Sequence, residues 1–161
     1  MSTVQAAIGL GSNLGDPISQ LQAALQRLQA HDAISLTATS SFYRSAPQGD
    51  AEQPDYVNAC ALIETTLAPH ALLAALQAIE RDLGKIKRGH WQAREIDLDL
   101  LLYGDAVIQS DDLTVPHPWL HKRDFVLVPL AEIAPDWMVP GKGSVSEMLA
   151  QLPDHFIQER L

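Results

Sequence analysis

Residues 94–103 read Arg-Glu-Ile-Asp-Leu-Asp-Leu-Leu-Leu-Tyr. Ile96, Leu98, Leu100 and Leu102 alternate as the apolar face of a β-strand, and Gly104-Asp105 supplies a turn behind them. Period two puts Asp97 and Asp99 on the other face, their Cα atoms roughly 6.5–7 Å apart at about 3.3 Å per residue. Two carboxylates held that close repel unless a cation lies between them. Oxygen ligands at this spacing suit Mg²⁺, which keeps several waters and shares its coordination with substrate phosphates. Taken alone, the pair fits equally well a half-solvated strand with two exposed acids. The surrounding residues have to decide.

Immediately upstream, Lys85, Lys87, Arg88 and Arg94 place four of the chain's eleven basic residues within ten positions. The net charge is nevertheless −9, which argues against nucleic-acid binding, since that draws its affinity from lysines and arginines on phosphates. A basic segment beside a carboxylate pair, in an acidic protein, marks a local site for a small polyanion. The 161 residues suffice for one domain, 1–161, with a sizeable core. No apolar run reaches the ~18 residues that span a bilayer, and Met1 to Gln5 lacks the basic start and apolar stretch of a secretory signal. Cys60 is the only cysteine; with no internal disulfide possible, the expected location is a reducing one, the cytoplasm.

Outward from the aspartate strand, the pattern alternates strands and helices. Val4 to Leu10 reads as a buried first strand, followed by a flexible loop from Gly9 to Gly15. Asp16 caps a helix opening at Pro17, with Ile18, Leu21, Leu25 and Leu28 facing inward. Ile34, Leu36 and Ala38 start a second strand that runs on toward Phe42. Ser45 to Asp55 is a loop, and Tyr56 to Thr65 a third strand. Pro69 opens a second helix whose inward residues are Leu72, Leu73, Leu76, Ile79 and Leu83, with Gly84 as terminator. The aspartate strand is expected to form a hairpin with Ala106-Val107-Ile108, a short helix to start at Pro129, and a last one to start at Ser144, where Ser144 and Glu147 have capping-box spacing. The order β-α-β-β-α-β with a C-terminal extension is the ferredoxin-like arrangement of an α+β sandwich.

Several chemistries drop out. The glycine-rich loop is neither G-x-G-x-x-G in a βαβ unit nor a P-loop, because no lysine follows. His117 and His121 are four apart, but Pro116 and Pro118 oppose a helix there and no third ligand follows, which disfavours zinc. No G-x-S-x-G elbow supports a serine hydrolase. Tyr56 and Asn58, in contrast, share a strand face where a ring and an amide can stack a flat heterocycle and read its hydrogen-bonding edge.

Five segments together resemble the 6-hydroxymethyl-7,8-dihydropterin pyrophosphokinases of folate biosynthesis: Gly11-Ser12-Asn13-Leu14-Gly15, Ser41-Phe42-Tyr43-Arg44, Gln53-Pro54-Asp55-Tyr56-Val57-Asn58-Ala59, Arg94-Glu95-Ile96-Asp97-Leu98-Asp99 and Thr114-Val115-Pro116-His117. The resemblance implies a three-layer α/β/α fold on the ferredoxin-like core, a monomer, and transfer of pyrophosphate from ATP to the pterin's hydroxymethyl oxygen with release of AMP. By the family pattern Asp97 and Asp99 hold two Mg²⁺ ions, and together with Arg94 they are the catalytic residues. Ser45, Ala46, Tyr56, Asn58, Trp91 and Phe125 would enclose the pterin. Gln77, Lys85, Lys87, Trp91, Arg94, Thr114, His117 and Arg123 would line the nucleotide site.

The chain departs from that pattern in places. Its loop before the aspartates is one residue shorter, Gln92-Ala93 replaces Gly-Pro, Lys85 stands for an arginine, and Asp112 stands for a basic residue of some members. Lysine keeps the charge but loses the bidentate fork. These changes leave a second expectation, a catalytically weak paralogue that holds pterin or nucleotide; the Asp97–Asp99 pair argues against it. Residues 84–94, with Gly84 and Gly89 and no apolar face, are expected to act as a lid that closes on nucleotide.

Overall fold

Ala6 to Ser12 are seven consecutive buried residues in β1 (Val4–Ser12), which is what a strand flanked on both edges and covered on both faces requires. In the computed structural model, which describes residues 3–13, 15–45, 55–83, 96–118, 120, 123–152 and 157–161, β1 lies between β4 (Tyr56–Thr65) and β5 (Asp97–Tyr103), antiparallel to both. The sheet runs β10 (Ile157–Arg160), β3 (Tyr43–Ser45), β4, β1, β5, and β2 (Ile34–Thr39) takes the remaining length of β4's outer edge. The result is an antiparallel sheet mixed with helices, an α+β fold.

Alternation along β1 divides the core. Ala6, Ile8 and Leu10 pack with Leu21, Ala24 and Leu28 of α1 (Pro17–Ala30) and with Leu72, Leu76 and Ile79 of α2 (Pro69–Asp82). On the other face Ala7, Cys60, Leu62 and Leu101 pack with Leu127 and Leu130 of α3 (Asp124–Ile133) and with Val145 and Met148 of α4 (Val145–Ala150). Helices therefore cover both faces.

The local signals hold where they are self-contained. Asp16 caps α1 by accepting the Ser19 N–H at 3.2 Å. Ser144 and Glu147 form the reciprocal capping box of α4, and Gly104 turns the chain after β5 at φ +54°.

Five expectations change. The second strand does not run through to Phe42: it stops at Thr39 and resumes at Tyr43. Across the gap Ser40 fills both backbone roles, its N–H reaching the Cys60 carbonyl and its hydroxyl accepting the Cys60 N–H, each at 2.9 Å. The glycine-rich segment is strand as far as Ser12 rather than loop from Gly9. Ile18 is exposed, and Ala24 takes the inward place. β5 does not form a hairpin with 106–108. Its partner is β1, while β6 (Ile108–Gln109) pairs with β7 (Thr114–Val115), which buries Val115 and leaves Val107 outside. Finally, α3 starts at Asp124 and keeps Pro129 in its interior, where the buried ring packs in exchange for one missing intrahelical bond. The short hairpin β8 (Met138–Val139) and β9 (Gly143–Ser144) leads into α4. Among the described residues no helix is long and apolar enough to cross a membrane.

Candidate active site

Asn58, Gly11 and Asp97 form one row across the sheet: Asn58 is in register with Gly11 on one side, and Asp97 with Gly11 on the other. Cys60, Gly9 and Asp99 form a parallel row two residues along. Period two puts Tyr56, Asn58 and Cys60 on the face that carries α3 and α4. Asp97 and Asp99 share it, because Leu98 and Leu100 are buried on the opposite face. The two glycines leave bare backbone between the amide and the carboxylates.

That bareness is a steric requirement. A Cβ on Gly11 would lie 2.8 Å from Asn58 Nδ2, closer than side chains tolerate. The Asn58 amide thus lies across Gly11, and its other end is fixed by the Ser45 hydroxyl, which donates to Asn58 Oδ1 at 3.0 Å. Both residues are buried, so the amide is held in one orientation.

The wall above this floor comes from α3 and the segment before it. Arg123 stands 5.5 Å from the centre of the Phe125 ring. Burial draws its guanidinium below the usual arginine range, while Asp99 and Tyr56 act in the opposite sense and so lie within its field. His117 is pulled down to about 4, first by burial and then by Arg123. It is therefore a neutral imidazole at neutral pH, and its backbone N–H is pinned to the Leu101 carbonyl of β5 at 3.0 Å. Burial, reinforced by Asp99, pushes the Cys60 thiol up, so it packs as a small apolar residue and supplies no thiolate.

Glu132 secures α3 to β3. Its carboxylate accepts from Ser41 N, Ser41 Oγ and, at 2.5 Å, the Tyr43 hydroxyl. Asp124 accepts the Ile157 N–H at 2.9 Å, tying β10 to the start of the same helix. Phe125 is in this way suspended between two anchors.

Of the predicted site residues, Ser45, Tyr56, Asn58, Asp97, Asp99, His117, Arg123 and Phe125 are gathered on this face and its wall. Gln77 and Thr114 are exposed, on α2 and β7, elements that pack beside β5. Ala46, Lys85, Lys87, Trp91 and Arg94, and with them the expected lid at 84–94, lie outside the described residues. Asp112 is turned to His70 and Ser110, accepting at 3.2 and 3.0 Å; the Ser110 hydroxyl is the main reason its carboxyl sits below the usual range. Sequence reasoning missed the glycine floor, although glycines at alternate positions of an apolar strand are a signal for it. It also missed Ser12 and Asn13, both buried, and Glu80, an acid on the inward side of α2.

As donors, Asp97 and Asp99 offer two hard carboxylates, one half-buried and one exposed. Among the described residues no third histidine, cysteine or acidic side chain joins them into a metal cluster. The set suits Mg²⁺, which fills its remaining positions with water and phosphate oxygens.

The family model for 7,8-dihydro-6-hydroxymethylpterin-pyrophosphokinase matches residues 7–135. The chain is 48% identical over 152 residues to the 2-amino-4-hydroxy-6-hydroxymethyldihydropteridine pyrophosphokinase of Haemophilus influenzae, covering 94% of this chain and 95% of that one. It is 44% identical to the protein of that name from Pseudomonas aeruginosa, over 91% and 90% of the two chains. Among solved structures, the Plasmodium falciparum HPPK-DHPS with pteroate aligns with a TM-score of 0.75 at 12% identity, over 93% of this chain and 42% of that one. That likeness shows the fold alone, and the chain spans less than half of that longer protein.

Proposed function

The chain belongs to the 7,8-dihydro-6-hydroxymethylpterin-pyrophosphokinase family, and on that premise we infer that it transfers pyrophosphate from ATP to the hydroxymethyl group of 6-hydroxymethyl-7,8-dihydropterin, releasing AMP, as a step of folate biosynthesis. The observation that carries this reading to the residues is the row Asn58–Gly11–Asp97, which puts a fixed amide beside a carboxylate pair on one glycine floor. The strand order β5, β1, β4, β2 supports a ferredoxin-like core, and we take residues 1–161 as one monomeric domain.

Attack at a β-phosphorus needs little covalent help. It needs alignment of the acceptor oxygen with the phosphorus, and charge neutralisation. Tyr56 and Phe125 would sandwich the pterin ring, while Asn58, held by Ser45, reads its polar edge. Asp97 and Asp99 would hold Mg²⁺, which supplies polarisation of the phosphoryl oxygens and a lowered pKa for the attacking hydroxyl. Arg123, always charged, offsets phosphate charge from the wall side, and neutral His117 offers an N–H donor without adding charge. Gln77, Thr114 and the segment bearing Lys85, Lys87, Trp91 and Arg94 complete the nucleotide site, with Arg94 acting on the transferred group; Ala46 and Trp91 complete the pterin enclosure. No observation favours a catalytically weak paralogue.

Phosphorus NMR of a mixture of enzyme, ATP, Mg²⁺ and the hydroxymethyl pterin tests the reaction. AMP and a pterin diphosphate are expected; ADP as the main nucleotide product would overturn the assignment.

A further inference from the structure

Among the described residues β5 has one strand neighbour, β1. Asp97 and Asp99 stand on the end strand of the described sheet, in register with Gly11 and Gly9 of β1. An open strand edge leaves its outward N–H groups without ladder partners, and here the open edge begins at Asp97, where the described strand starts. The Leu98 N–H, between the two aspartates, is turned to that edge. It donates to Glu80 Oε2 at 2.8 Å.

Glu80 is an unusual occupant of its place. It follows Leu76 and Ile79 on the inward side of α2, and only 8% of it is exposed. A carboxylate there costs desolvation that an apolar side chain of similar size would avoid, so its retention calls for a specific use. We propose that Glu80 is a positioning residue: by accepting the Leu98 N–H it fixes the start of β5, and with it the mutual placement of Asp97 and Asp99. Ile96 and Leu98, both buried, anchor the strand from its inner face, and Glu80 anchors its edge. The bond joins α2, which also carries Gln77, to the strand of the acidic pair. The inference rests on the reading of that pair as a cation site.

The test is a Mn²⁺ titration, followed by electron paramagnetic resonance, of the full chain with α,β-methylene-ATP. Glu80→Met fills the space without an acceptor, Glu80→Gln keeps an acceptor oxygen, and Leu72→Ala is a packing control on the same helix. Loss of the acceptor should weaken Mn²⁺ binding about 10–100-fold, the range for groups that orient metal ligands. Glu80→Gln should stay within a few-fold of wild type, and Leu72→Ala should lower Tm without moving Mn²⁺ affinity. Unchanged binding in Glu80→Met, or equal loss in Glu80→Gln, overturns the proposal. Wild type that binds no better than Asp97→Asn/Asp99→Asn overturns the cation reading itself, and the proposal with it. A measurement on wild type alone is also decisive. The Leu98 amide should exchange as slowly as amides inside the sheet; exchange at open-edge rates would show that the bond does not hold the strand.

Discussion

Asn58 Nδ2 lies 2.8 Å from the point where a Cβ on Gly11 would stand. The glycine and the asparagine are thus one device: the first carries no side chain, which leaves room for the amide of the second. Gly11→Ala should force the buried amide out of its bond with Ser45. Overpacking of this kind costs about 1–3 kcal/mol, and the pterin should feel it more than the nucleotide. Fluorescence titration with the pterin, set against titration with an ATP analogue, separates the two. Equal loss for both ligands would count against the amide as the pterin reader.

Asp97→Ala and Asp99→Ala should each abolish turnover while leaving Tm within a few degrees of wild type. Neither side chain is core, so removal leaves no cavity and relieves like-charge repulsion. Pterin binding should weaken less than catalysis, because the carboxylates act where charge develops in the transition state. Near-normal activity of either variant at saturating Mg²⁺ would remove the pair from the mechanism.

His117 makes the folded protein sensitive to acid. Its pKa falls from the ordinary 6.5 to about 4 on folding, so between those values the unfolded chain binds the extra proton and the folded one does not. Stability linked to this group is full above about pH 6.5 and is lost as pH falls toward 4. His117→Gln lacks that linkage. Its Tm should therefore gain on wild type as pH is lowered from 7 to 4.5, and a constant difference across that range would contradict the neutral assignment.

Tyr43→Phe removes a buried hydroxyl donated to a carboxylate at 2.5 Å. A hydrogen bond to a charged partner contributes about 1.5–3 kcal/mol, which urea unfolding should read directly. In wild type the Tyr43 phenol, pushed up to about 12 by burial and by Glu132, should remain protonated in ultraviolet titrations past pH 10. Ionisation at 10 would show that the link between β3 and α3 is not formed.

Elements whose causes lie within a few residues were readable along the chain. The Asp16 cap, the Ser144 capping box, the inward stripe of α2 and the alternation that puts Asp97 and Asp99 on one face all follow from neighbouring side chains and fixed periods. The acidic pair was visible because strand geometry alone sets its spacing. The pairing of β5 with β1 was not, because it depends on which edges remain once both faces of the sheet are covered, and no residue near Tyr103 records that. Nor was the interruption at Ser40, where one hydroxyl does the work of a strand, or the helix that keeps Pro129. Only the register of three antiparallel strands makes Asn58, Gly11 and Asp97 neighbours, and only the packing of α2 beside β5 brings Glu80 to the Leu98 N–H. Local order is written in local chemistry; the site joins residues distant in the chain, and long-range packing alone brings them together.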